Sequence, residues 1–195
     1  YQRFNPSGGL TYAFMPQLQA YASYNESNRA PTAVELSCAD PAKPCRLPNA
    51  FLSDPSLNQV VAKTAEAGFR GQFKNVYGGN FDWNAGYFHT VNNDDILFIS
   101  SGPLRGQGYF DNVGNTLRQG LEMGFNGTYE EVRFAMNYTY LDATFQTPFL
   151  ANSPNNPEAV DGVIYVRPGS YIPSLPQNMF KASADWAPLK ELTLG

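Results

Sequence analysis

The stretch Thr116-Leu117-Arg118-Gln119-Gly120-Leu121-Glu122-Met123-Gly124-Phe125-Asn126-Gly127-Thr128, followed across Tyr129-Glu130 by a second run over 131–145, decides the fold class. Successive side chains of a β-strand point to opposite faces, so alternation marks a strand with one greasy and one polar side. In the second run Val132, Phe134, Met136, Tyr138 and Tyr140 share one face, against Arg133, Ala135, Asn137 and Thr139. In the first, Leu117, Leu121, Met123 and Phe125 oppose Thr116, Arg118, Gly120, Glu122, Gly124 and Asn126. Two such strands separated by two residues predict an antiparallel hairpin.

The pattern repeats outward from this pair. Phe81, Trp83, Ala85 and Tyr87 alternate with Asp82, Asn84 and Gly86, and a single strand is expected over 80–100. Phe180, Ala182, Ala184 and Trp186 alternate with Lys181, Ser183 and Asp185. Weaker runs are Leu10-Tyr12-Phe14, Leu18-Ala20-Ala22-Tyr24 and 61–73, giving seven strands and the start of an eighth. No segment shows a helical period with caps. Tyr1–Pro6 already reads as strand and Leu192–Gly195 stops within one, so both ends are expected to be cut edges.

The connections alternate in length. Short joints fall at Met15-Pro16-Gln17, 74–79, Tyr129-Glu130 and Ala187-Pro188-Leu189; long ones span about 30–60, 100–112 and 147–176. Antiparallel strands return to the same side at every second connection, so all tight turns gather at one end of the sheet and all long loops at the other. Outer-membrane barrels sort their loops this way, whereas most soluble domains have short connections throughout.

Composition narrows the function classes. Charged residues make up 15% of the chain and the net charge is −4, without the clustered basic surface that nucleic acid requires. A mean hydropathy of −0.36 and no apolar run of about 18 residues rule out a helical membrane bundle. They leave room for a barrel whose strands are apolar on one face only. A soluble sandwich or a lipocalin-type ligand-binding barrel would turn the greasy rows inward, a membrane barrel outward, and alternation alone does not choose. Strand length, aromatics near strand ends (Trp83, Tyr129, Tyr140, Trp186) and a polar face mixing acids and bases with glycine favour the membrane arrangement. A small complete outer-membrane barrel serving as an anchor or adhesin stays open beside it.

Cys38 and Cys45 bracket a polar loop bent by two prolines, which brings the thiols within reach of a disulfide and implies an oxidising compartment. Two free thiols are the alternative; no further Cys or nearby His completes a zinc site.

Several segments resemble TonB-dependent outer-membrane receptors of bacteria. These are residues 21–32, from Tyr21-Ala22-Ser23-Tyr24 to Arg29-Ala30-Pro31-Thr32, and 59–71, which contains Glu66-Ala67-Gly68-Phe69-Arg70-Gly71. They continue with Asn92-Asn93-Asp94-Asp95-Ile96, then Asn112-Val113-Gly114-Asn115-Thr116-Leu117-Arg118-Gln119-Gly120-Leu121-Glu122, then Tyr138-Thr139-Tyr140-Leu141-Asp142-Ala143, and Ile172-Pro173 through Gln177-Asn178, in the family's order. The resemblance implies an all-β, antiparallel up-and-down transmembrane β-barrel, of which residues 1–195 supply about seven or eight strands of a larger barrel. The plug domain and the N-terminal segment that contacts TonB are expected to be absent from these residues. It further implies a place in the bacterial outer membrane, contact with its lipid, and uptake of a ferric siderophore or another scarce nutrient complex captured by extracellular loops. No enzymatic activity, cofactor or nucleic-acid partner is implied.

Binding is expected on the long loops, which a rigid scaffold presents outward. In 101–111, Arg105 is placed to pair with an anionic chelate and Tyr109 or Phe110 to stack on its rings; the alternative is a glycine-rich turn whose aromatics pack on a neighbouring loop. Asp94 and Asp95 are too few for a calcium cage of 6 to 8 oxygens and are read as the exit of a strand from the membrane. His89, the chain's single histidine, reads as structural or exposed, with no nucleophile–base pair to join.

Overall fold

The computed structural model describes residues 1–40, 45–46, 57–100, 107–189 and 191–195. It opens with strands β1 (Ser7–Met15) and β2 (Leu18–Arg29), a short helix α1 (Ala33–Ser37) and strand β3 (Cys45–Arg46). Strands β4 (Val60–Val76), β5 (Gly79–Asn93), β6 (Ile96–Ser100), β7 (Gln107–Asn112) and β8 (Thr116–Tyr129) follow. The remainder is β9 (Val132–Phe145), β10 (Phe149–Asn152), β11 (Val163–Val166), β12 (Asn178–Leu189) and β13 (Leu192–Leu194).

Eight strands form one antiparallel sheet in the order β1-β2-β4-β5-β8-β9-β12-β13, an up-and-down meander of the transmembrane barrel type. The short turns follow β1, β4, β8 and β12 and lie at one end. Beyond the other end stand a three-stranded sheet, β3-β7-β6, and the hairpin β10-β11.

Register aligns the alternation of each strand with its neighbours. Ala20, Phe69, Ala85, Met123, Tyr138 and Phe180 oppose one another across six strands. So do Gln19, Arg70, Asn84, Gly124, Asn137 and Lys181 on the other side. Among the described residues no layer covers the apolar rows: Leu10 is 66% exposed, Leu121 46% and Phe180 66%. A continuous bare apolar face of this extent belongs against lipid, where the strands' backbone groups are satisfied by their neighbours. Towards the short turns Phe81, Phe125 and Phe134 pack at centroid distances of 5.6–6.0 Å, covering Gly127. Phe73 stacks on Trp83, whose indole lies over Gly71.

The sheet records its own inclination to the membrane. The β1–β2 turn closes at Leu18, level in register with Ala182 of β12, but the β12–β13 turn closes at Leu189. That stagger of about seven residues, at about 3.3 Å each, accumulates over five steps of about 4.8 Å and corresponds to a tilt of about 45°. At the other end, the first polar side chains past the apolar rows are Glu26, Lys63, His89, Gln119, Asp142 and Asn178. Glu26 opposes Lys63; His89, Gln119 and Asp142 lie one pair lower, and Asn178 one lower still, opposite Tyr140. This line descends more gently, at about 30°, and the two values bracket the 35–45° at which outer-membrane strands cross.

Four expectations need correction. The strand expected over 80–100 breaks at Asp94, whose backbone turns left-handed at φ 55°, and its upper part leaves the main sheet as β6. Helix α1 exists because Thr32 and Glu35 form a capping box, a signal too local for a periodicity search. Residues 1–6 run outside β1, which starts at Ser7. Pro188 lies within β12, where a register shift between Trp186 and Leu189 accommodates its missing N–H.

Candidate functional site

Where the chain leaves the main sheet after β5, a buried polar knot holds the loop layer in place. Thr116 is fully buried and donates its hydroxyl to Asp95 Oδ2 at 2.6 Å. Arg118 reaches the same oxygen at 3.1 Å and Thr116 Oγ1 at 2.8 Å. The Asp95 N–H donates to the Gly114 carbonyl, and the Asp95 carbonyl accepts from Val113 N–H. Asn112 donates to the Asp94 carbonyl at 2.7 Å. Asp95 is thus a structural partner of Arg118, and no group among the described residues has the ligand set for a metal ion. Above the knot, Ala39, Leu57, Val60 and Ile96 form a small buried cluster with Leu36 and Phe110 against it.

Between the β6–β7 hairpin and the β10–β11 hairpin lies a cleft of about 650 Å³. Phe98, Phe145, Phe149, Tyr165 and Tyr171 contribute its aromatic walls, with Ile99, Ile164 and Ile172 between them. Phe145 and Phe149 meet edge to face at 5.0 Å, and Phe98 meets Phe110 at 5.3 Å, so each wall is braced from behind. Asn152, Asn156, Ser170 and Glu158 add polar groups. Its size and its mixture of rings with a few polar groups are those of small-molecule sites.

The sequence-predicted contacts fall around this cleft rather than in it. Phe110 packs between the buried cluster and Phe98, and its N–H donates to the Cys38 carbonyl at 2.6 Å. Tyr109 pairs with Ile99 and is half-buried; burial, then the charge of Asp111, raises its phenol above the ordinary value. Arg105 lies outside the described residues. His89 shares a hydrogen bond of 3.2 Å with Gln119 at the polar edge of the apolar face. No cysteine among the described residues is free. The ring residues of the cleft were missed because Phe98 and Phe145 close runs read as membrane strand, while Phe149, Tyr165 and Tyr171 fall in the long connection 147–176. The β-branched and aromatic run Val163-Ile164-Tyr165-Val166 was the available sign of a strand inside that connection.

Comparison with known proteins adds the decisive observation: the family model described as TonB dependent receptor-like, beta-barrel matches residues 1–194. The chain belongs to the TonB-dependent receptor β-barrel family. This is a family of transport receptors seated in the outer membrane. A comparison with curated proteins returned no match. Among solved structures, a double mutant of the Serratia marcescens hemophore receptor HasR, in complex with its hemophore HasA and heme, aligns over 93% of this chain with a TM-score of 0.63 and 18% identity. The alcaligin outer-membrane receptor FauA from Bordetella pertussis aligns over 94% with a TM-score of 0.53 and 16% identity. The siderophore receptor PirA from Pseudomonas aeruginosa aligns over 97% with a TM-score of 0.56 and 13% identity. The TonB-dependent receptor barrel described here spans 29%, 26% and 37% of those three chains, and the likeness is one of fold.

Proposed function

We propose that this chain is part of the wall of a bacterial outer-membrane receptor that takes up a ferric siderophore or a similarly scarce solute, energised through TonB. The cleft between the two loop hairpins makes the first contact. The observation that carries the reading is an aromatic cleft at the long-loop end of a sheet whose family consists of transport receptors. In a barrel of this family that end faces the medium. Phe110 supports capture by holding Phe98 in place, Tyr109 stands on the same hairpin as an outer contact, and Arg105 is retained from the sequence as a further contact. A Cys38–Cys45 disulfide tethers the loop beside α1, as an oxidising compartment permits. Release inward would follow rearrangement of a plug elsewhere in the receptor.

Two measurements on cells producing the whole receptor test this. A Tyr165→Cys variant should react with a membrane-impermeant maleimide in intact cells, and Tyr77→Cys only after permeabilisation. Energy-dependent uptake of radioactive iron chelate should fall when Phe149 and Tyr165 are replaced by Ala. Reversed labelling, or uptake indifferent to both rings, would overturn the reading.

A further inference from the structure

We propose that the cleft selects an electroneutral metal chelate with an aromatic or hydrocarbon periphery and discriminates against anionic chelates. The inference rests on the cleft being the capture surface and adds the charge class of what is captured.

Among the described residues lining the cleft, Glu158 is the only charged side chain, and no arginine or lysine is present. An anionic chelate entering it would shed part of its hydration without meeting a cation among the described lining residues. It would also meet the carboxylate of Glu158. A neutral chelate loses little on desolvation and gains apolar contact with Phe98, Phe149 and Tyr171. Phe145 is only 5% exposed, and the edge-to-face pairs Phe145–Phe149 and Phe98–Phe110 fix the rings before a ligand arrives. Little side-chain freedom is then lost on binding. The phenol groups of Tyr165 and Tyr171 supply donors for the carbonyl oxygens of a hydroxamate-type chelate.

The test is binding to the whole receptor in detergent, followed by quenching of intrinsic fluorescence. The probes are a neutral ferric trihydroxamate and a trianionic ferric tris-catecholate of similar size. The neutral probe should bind at least about tenfold tighter. Phe149→Ala should weaken it about tenfold, and Glu158→Lys should narrow the preference. Tyr77→Ala, in the exposed turn between β4 and β5 at the opposite end, should leave its affinity within about twofold. Tighter binding of the tris-catecholate, lost on Arg105→Ala, would overturn the charge selection and leave the capture reading standing. Binding of neither probe to receptor shown to be folded by heat-modifiable mobility would overturn both.

Discussion

Asp95 and Thr116 meet through a 2.6 Å hydrogen bond at the level where β5 stops and the loop layer begins. Arg118 completes the contact at 3.1 Å from the same carboxylate oxygen. The pair joins a turn to the first residue of β8, so the break after β5 is held by side chains as well as by backbone.

Removing the Thr116 hydroxyl while keeping its shape should loosen this joint. Thr116→Val is expected to cost about 1–2 kcal/mol, because a buried carboxylate loses one donor. Asp95→Ala should cost more, since Arg118 then loses its ion-pair partner and the buried Thr116 hydroxyl its acceptor. Urea unfolding of the receptor in detergent, followed by its heat-modifiable band, measures both.

The two faces of the sheet should respond oppositely to charge. Met123→Arg, in the middle of the apolar rows, is expected to cost about 2–4 kcal/mol in a lipid bilayer. Ser183→Arg, on the polar face of β12, should stay within about 0.5 kcal/mol. Equal penalties in a vesicle refolding titration would contradict the orientation.

Glycines under neighbouring atoms should not tolerate a methyl group. A Cβ at Gly68 would lie 2.5 Å from the Ala85 carbonyl oxygen and 2.7 Å from the Tyr21 hydroxyl. Gly68→Ala is therefore expected to cost about 1–3 kcal/mol through displaced backbone. Gly8→Ala meets nothing within 4 Å and serves as the neutral control.

Helix α1 should weaken in acid. Partial burial pushes the Glu35 carboxyl up, but hydrogen bonds from Arg29 and from Thr32 outweigh it and hold the group below its ordinary value. A depressed folded-state pKa contributes stability that is complete above the unfolded value and disappears as pH falls through the folded one. Hydrogen exchange at Ala33–Ser37 should therefore be independent of pH-linked loosening near neutrality and lose protection below about pH 4. Thr32→Ala should reduce that protection at every pH, at a cost of about 1 kcal/mol.

Much of the membrane-spanning wall was legible because period-two patterning is a long, redundant signal. The 116–145 hairpin alone carries nine apolar residues on one face, and the structure places the strands β8 and β9 there with the expected faces. The loop layer was much less legible. Its strands β6, β7, β10 and β11 hold four to six residues each, too few for alternation to stand out. The break at Asp94 depends on one left-handed residue and one buried carboxylate whose partner lies 23 residues away. Binding was expected at Arg105, Tyr109 and Phe110 because they stand in a long loop, and the cleft rings come from β6, the end of β9, β10, β11 and the segment after it. Only tertiary placement brings those segments together.

The cluster of Ala39, Leu57, Val60 and Ile96 gives the upper storey an interior of its own, apart from the lipid-facing wall below. The two storeys are then free to diverge at different rates. Recognition can be rebuilt by exchanging hairpins above the Asp95 joint while the span through the bilayer stays as it is. Chimeras that exchange residues 96–114 together with 146–177, leaving Asp95 with Thr116, would carry both walls of the cleft onto another receptor's frame.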